Sequence, residues 1–212
     1  MRPEDKPWPQ RYYQDDTYFG GPGHPIFVII GGEDPLEGIL YPFIRHHLAK
    51  QLHGVTFCVE HRFYGDSRPV VNATNADLRR LLSPRQALGD LVQFIQYQRQ
   101  VLGCTGPRGS DTYCPVVTVG GSYPGFLAFL MRFIYPEVVD IGYASSAPLH
   151  LYLHDGRPEV YFDYITEVAD RASPGCAKAV KKTLMAVTDA LLKSDRSVTE
   201  EAKALGFCSD RI

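Results

Sequence analysis

The run Val116-Val117-Thr118-Val119-Gly120-Gly121-Ser122-Tyr123-Pro124-Gly125 decides how the rest of the chain is read. Its four leading β-branched residues predict a buried strand, and the glycines end it. Pro124 suits a first helical turn, and the helix it opens should stop near Tyr135, before Pro136. A strand that becomes a helix through one serine is the setting of a nucleophile elbow. The turn is tight enough to strain the serine's backbone, which the small neighbours Gly120, Gly121 and Gly125 permit. Ser122 Oγ would then stand above the sheet, with the free N–H groups and positive dipole end of the helix beneath a developing oxyanion. The run departs from G-x-S-x-G, because Pro124 takes the last glycine's place and the glycine follows one position later. The competing readings are a plain Gly/Ser turn or a phosphate loop; the latter requires a lysine that is absent here.

An oxyanion hole of this type takes one N–H from the residue after the serine and one from the loop after an earlier strand. Tyr123 supplies the first. Upstream, Pro25–Ile30 (PIFVII) reads as a buried strand running into Gly31-Gly32-Glu33-Asp34-Pro35, so Gly32 or Glu33 supplies the second. The bland reading of those glycines is a strand-ending turn. Between the two strands lie a helical face (Ile39, Leu40, Phe43, Ile44, His47, Leu48, Leu52) whose helix proper starts at Pro42, and a second buried strand, Val55–Glu60. Ser83-Pro84-Arg85-Gln86 then presents a cap residue, a proline at the first helical position and a Gln three after the cap. Leu88, Leu91, Val92 and Ile95 continue as a stripe, with Gly103 after the end. A fourth strand is expected over Val138–Ala144, weakened by Gly142.

Strands that are apolar throughout, alternating with helices, predict an α/β fold whose mostly parallel sheet is covered on both faces. From about Tyr161 only helical spacing remains: Phe162, Ile165, Val168 and Ala169, then Val180, Leu184, Val187 and Leu191.

The chain has 212 residues, with 22 Lys and Arg against 24 Asp and Glu, a net charge of −2. There is no basic excess to hold phosphates, so nucleic acid is excluded as a partner. Mean hydropathy is −0.18. No apolar run approaches the roughly 18 residues of a spanning helix, so no membrane partner is expected either. The opening MRPEDKPWPQ is polar and proline-broken, with no secretory leader visible.

The five cysteines allow two readings. All could be buried thiols in a reducing compartment. Alternatively Cys104 and Cys114, which flank a Gly/Pro/Ser loop, form one bridge, and Cys176 and Cys208, which bracket a helical stretch, form another, leaving Cys58 free. The cysteine spacings match no zinc site, so no metal is expected. Asn72-Ala73-Thr74 is a glycosylation sequon and points to an oxidising compartment, as the bridges do.

Six blocks in order now resemble one family: RYYQDDTYF (Arg11–Phe19), PIFVIIGGE (Pro25–Glu33), FCVEHRFYGDS (Phe57–Ser67), LSPRQALGDLVQFI (Leu82–Ile95), VTVGGSYPG (Val117–Gly125) and YASSAPL (Tyr143–Leu149). The chain resembles the serine peptidases that include lysosomal Pro-Xaa carboxypeptidase, dipeptidyl peptidase II and thymus-specific serine protease. The resemblance implies a truncated α/β-hydrolase fold, residues 1–155 forming its N-terminal part and 156–212 the start of a helical cap domain. It puts Ser122 on the nucleophile and Cys176 and Cys208 at cap bridge positions. It also implies a serine-type exopeptidase that cleaves proline-containing peptides through an acyl-enzyme without a cofactor, in a lysosomal or secreted setting; a homodimer stays open. The family's Asp and His follow the cap, so the triad's other members are expected to be missing from this chain. Asp34 stands where relatives often have a glycine.

Of the seven histidines, only His150 and His154 follow the serine, and both read as polar residues on an entry loop. His61 is expected to anchor the EHRFYG loop, and Glu60 and Arg62 could form a buried pair. Asp66 and Ser67 read as turn residues. Phe63, Tyr64 and Tyr123 could line a proline pocket. Two alternatives remain: a catalytically inactive homologue, and an esterase or lipase that shares only the elbow.

Overall fold

The computed structural model describes residues 7–153, 156–157 and 159–193. The chain divides into two units, Met1–Leu149 and His150–Ile212.

The first unit is built on five strands: β1 (Tyr12–Asp15), β2 (Ile26–Ile30), β3 (Val55–Val59), β4 (Val116–Gly121) and β5 (Ile141–Ser145). Their order in the sheet is β1-β3-β2-β4-β5. β2 runs parallel to both β3 and β4, and β4 runs parallel to β5; only β1 is antiparallel. This is the α/β-hydrolase fold, with the chain leaving β2 for β3 on one side and returning to β4 on the other. The reversal creates a crevice at the carboxyl ends of β2 and β4, where open α/β sheets bind ligands.

Every residue of β2 and β3 is buried, as continuous runs of Ile, Val and Phe require when both faces are covered. The two-residue period divides them between two cores. Ile26, Val28, Ile30, Phe57 and Val59 pack with Leu88, Leu91 and Ile95 of α3 (Pro84–Val101) and Leu127 and Met131 of α4 (Tyr123–Ile134). Phe27, Ile29, Cys58 and Val119 face Leu36, Ile44 and Ala49. The last two belong to a π-helical turn, Ile44–Leu48, and the short helix α1 (Ala49–Leu52) that continues it. The helix expected from Pro42 therefore forms in a wider-wound variant.

The α3 start matches its sequence signs in part. Ser83 Oγ accepts from the Gln86 N–H at 3.4 Å, and Pro84 is the first helical residue. Gln86, however, does not return its side chain to the cap; its Oε1 accepts from Arg62. Three features were not expected from the sequence. β1 is an antiparallel edge strand in a polar stretch, held by Tyr12 against Phe57 and Phe94. α2 (Asn75–Leu81) opens on a reciprocal capping box between Thr74 and Asp77. β5 begins at Ile141, because Val138 and Val139 are buried in the turn before it.

Cys104 and Cys114 form a disulfide, and Cys58 is buried and free. The proposed partner of Cys176, Cys208, lies outside the described residues, as does His154. Opening the Cys104–Cys114 ring by Cys114→Ala is expected to cost about 3 kcal/mol, from the chain entropy regained on unfolding. Denaturant titration checks this; an unchanged midpoint would show that the ring contributes nothing. Tyr113 beside the bridge lies under the Arg99 and Arg108 guanidiniums and reaches Asp140 at 2.8 Å, which fastens the loop at the end of the sheet opposite Ser122.

The described part of the second unit is helical, as the spacing from Tyr161 implies: α5 (Leu149–Tyr152) leads into it, and α6 (Glu159–Ala172) and α7 (Cys176–Lys193) follow. Phe162, Ile165, Val168 and Leu184 are all exposed on these helices.

Candidate active site

Ser122 sits between the last residue of β4 and the first of α4 with φ 58° and ψ −129°. A non-glycine residue there is strained by on the order of 1–3 kcal/mol. The surroundings impose it: the Ser122 N–H donates to the Ser145 carbonyl at 3.0 Å, and the Ser122 carbonyl accepts from Phe126 at 3.1 Å. Ser122 is exposed, although β4 is largely buried, and its side chain does not cap the helix. The three elbow glycines are required by close approach. A Cβ on Gly120 would run into the Pro124 carbonyl, one on Gly121 would lie 2.6 Å from Tyr41 Oη, and one on Gly125 would lie 2.8 Å from the Ser145 oxygen. Tyr41, with φ 55° and its hydroxyl against this turn, was not singled out from the sequence. Its Tyr-Pro dipeptide argues for extended backbone instead.

The loop after β2 reaches the same corner. Gly31 donates to the Val59 carbonyl at 2.8 Å. A Cβ on Gly32 would stand 3.1 Å from Pro124 Cγ, so the Gly31–Glu33 segment lies against the first turn of α4.

His61 connects the neighbouring loop to the elbow. It is buried, with Nδ1 2.8 Å from the Arg62 carbonyl and Nε2 2.9 Å from the Tyr123 hydroxyl. A carbonyl only accepts, so Nδ1 carries the proton and Nε2 accepts from Tyr123. Burial holds this imidazole below its ordinary pKa, against the opposing pull of the Arg62 carbonyl, and so favours the neutral ring. The rings of Tyr64 and Tyr123 pack on it at 5.3 and 5.5 Å. Two of the three aromatics considered for a proline pocket thus meet at His61.

Glu60 and Arg62 do not pair with each other. The fully buried Glu60 carboxylate takes Arg11 on Oε1, together with the Leu36 N–H at 2.9 Å, and on Oε2 the Asp66 and Ser67 N–H groups at 3.0 and 2.8 Å. Burial pushes this carboxyl up, but the hydrogen bonds from Ser67, Leu36 and Arg11 outweigh it and hold the group below the usual carboxylate range. Arg62 instead grips Asp90 with two 2.6 Å bonds and reaches the Leu81 carbonyl. Both residues lie beyond the end of β3, two positions apart, and each finds its counter-charge on a different part of the chain, Arg11 before β1 for Glu60 and Asp90 on α3 for Arg62. The Asp66 and Ser67 N–H groups close the turn that Gly65, with φ 60°, allows.

His46 and His47 are exposed. His150 lies in the second unit. Among the described residues no three His, Cys, Asp or Glu side chains converge as a metal site would need, and no helix is long and apolar enough to cross a membrane.

The family model described as Serine carboxypeptidase S28 matches residues 2–211. Prolyl carboxy peptidase like protein 5 of Caenorhabditis elegans is 36% identical over 177 residues, which cover 82% of this chain and 34% of that protein. Lysosomal Pro-X carboxypeptidase of Bos taurus is 27% identical over 213 residues, 97% of this chain and 40% of its own. Among solved structures, the thioesterase domain from the curacin biosynthetic pathway covers 68% of this chain and 45% of its own, at 16% identity and a TM-score of 0.42. The chain spans about a third of the length of the curated relatives it matches.

Proposed function

The chain belongs to the serine carboxypeptidase S28 family, and on that premise we propose that Ser122 is the nucleophile of a serine exopeptidase acting beside proline in peptides. The observation that carries the reading is an exposed serine held at φ 58° between a buried strand and a helix. A backbone so strained is retained where the residue must stand clear of the sheet.

In this reading Ser122 Oγ attacks the scissile carbonyl. The oxygen that becomes negative turns to the N–H of Tyr123 and to that of Gly32 or Glu33. Collapse expels the amine and leaves an acyl group on Ser122, which water then releases. The serine's proton must go to a base, since a bare hydroxyl is a poor nucleophile at neutral pH. By family resemblance that base is a histidine oriented by an aspartate, neither of them assigned to a residue of this sequence. His61 does not take the role, because Nδ1 and Nε2 are committed to the Arg62 carbonyl and the Tyr123 hydroxyl. Residues 156–212 are read as the beginning of a helical cap, with Cys176 and Cys208 as its candidate bridge.

A fluorophosphonate probe followed by peptide mapping tests the assignment in a protein that carries the family's histidine and aspartate together with this sequence: the adduct is expected on Ser122, and an adduct elsewhere with Ser122 unmodified would reject it. Faster hydrolysis of a proline-containing peptide than of a simple ester separates a peptidase from an esterase.

A lysosomal or secreted setting is proposed from the family and from the Cys104–Cys114 bridge, a bond that persists in oxidising compartments. It makes Asn72 a glycan carrier. Asn72 is exposed at a turn with φ 58°, a conformation asparagine tolerates. Asn72→Gln is expected to abolish the mobility step that peptide N-glycosidase produces on protein secreted by a eukaryotic host. A step of the same size in the variant would place the sugar elsewhere.

A further inference from the structure

Strand order gives the His61–Tyr123 hydrogen bond a role beyond local packing. His61 follows the end of β3, and Tyr123 follows the end of β4. These strands are not neighbours; β2 lies between them. All three run in the same direction, so the bond at their carboxyl ends spans the end of β2, from which Gly31–Glu33 emerge. That segment is already confined from both sides. A Cβ on Gly31 would lie 2.7 Å from the Val59 oxygen and 3.3 Å from the His61 nitrogen, and one on Gly32 would lie 3.1 Å from Pro124 Cγ. The loop of His61, the loop after β2 and the first turn of α4 are therefore stacked in contact, and the Tyr123 side chain is tied across them.

We propose that His61 is a positioning residue: its neutral imidazole, accepting from Tyr123, clamps the Gly31–Glu33 loop and the head of α4 at a fixed spacing and so sets the distance between the two oxyanion donors. The proposal rests on the reading of Ser122 as nucleophile. Donors a few tenths of an ångström out of place lose much of their effect, because an oxyanion hole works by being organised before the charge appears. His61 suits the task. The Arg62 carbonyl fixes its Nδ1 proton, leaving Nε2 always ready to accept, and the Tyr64 ring braces the imidazole. The charged groups around it are Arg62 and Asp90, already engaged with each other, and Glu33. No proton moves in this role; the ring is a strut.

The test compares the full chain with Tyr123→Phe, His61→Leu and the double variant. Tyr123→Phe keeps the ring and removes only the hydroxyl, so it isolates the bond. Amide hydrogen exchange at Gly31, Gly32 and Glu33 is expected to quicken by on the order of fivefold to tenfold in each single variant and no further in the double, the scale of one lost hydrogen bond. The amides of β1 should keep their wild-type rates. The ¹⁵N resonance of His61 Nε2 should move in Tyr123→Phe while that of Nδ1 stays. Fluorophosphonate labelling of Ser122 should slow by a similar factor or more. Unchanged exchange at 31–33 in Tyr123→Phe would overturn the clamp. Exchange that quickens as expected in a protein that carries the family's histidine and aspartate and whose Ser122 never labels would uphold the clamp and defeat the nucleophile reading instead.

Discussion

Ser122→Ala, in a protein that carries the family's histidine and aspartate together with this sequence, is expected to lower hydrolysis of a proline-containing peptide by on the order of 10⁴–10⁶-fold and to abolish the fluorophosphonate adduct, the scale seen when a serine nucleophile is removed. The loss should fall on kcat more than on KM, since the hydroxyl acts in the transition state and contributes little to substrate binding. Ser122→Gly should be equally inactive but differ in stability. Glycine occupies φ 58°, ψ −129° without a Cβ penalty, so it should raise unfolding free energy by about 1 kcal/mol over the serine protein. Alanine keeps the Cβ and should gain nothing. Calorimetry on the two variants separates these outcomes. Activity that survives either substitution would reject Ser122, and a glycine variant no more stable than alanine would show that the backbone there is unstrained.

The largest structural effect is expected at Glu60. Glu60→Ala removes the acceptor for three backbone N–H groups and strands Arg11, at a cost of about 3–5 kcal/mol, the range found when one partner of a buried pair is deleted. Those donors belong to the loop after β2 and to the turn at 65–67, so the loss should loosen both loops that flank the elbow. The pH dependence has a fixed sign. Glu60 titrates below the usual carboxylate range in the folded protein, so its stabilisation is complete above the unfolded value of about 4. It is lost as pH falls through the lower folded value. Acid unfolding should therefore flatten in Glu60→Ala relative to wild type over that window. A substitution costing less than about 1 kcal/mol, or one leaving the acid limb unchanged, would remove Glu60 from this role.

The centre of the sheet was readable because β2, β3 and β4 are apolar on both faces, and a run such as IFVII has few other uses. The α3 start was readable because Ser83-Pro84 are local instructions. β1 was not, since its support is tertiary: Tyr12 leans on Phe57 and Phe94, and its ladder partner begins 40 residues later in sequence. The capping box of α2 was available as Thr74-x-x-Asp77 but was masked by reading Thr74 only as the end of a sequon. At the site, the elbow serine and its glycines came from one continuous motif. The partners of Glu60 and Arg62 did not, because Arg11 and Asp90 are far away in the chain and nothing in EHRFYG names them. The Tyr123 hydroxyl bond to His61 was hidden for the same reason: each residue was read separately, one for its N–H and one as a loop anchor, and only the strand order brings them together.

The nitrogen of the nucleophile hangs on the carbonyl of Ser145, and Ser145 ends β5, the strand paired beside β4. The hinge that holds the reactive oxygen is thus moored to a strand other than its own. A change that loosens the β4–β5 ladder is therefore expected to slow fluorophosphonate labelling of Ser122 before it shifts the melting of the scaffold.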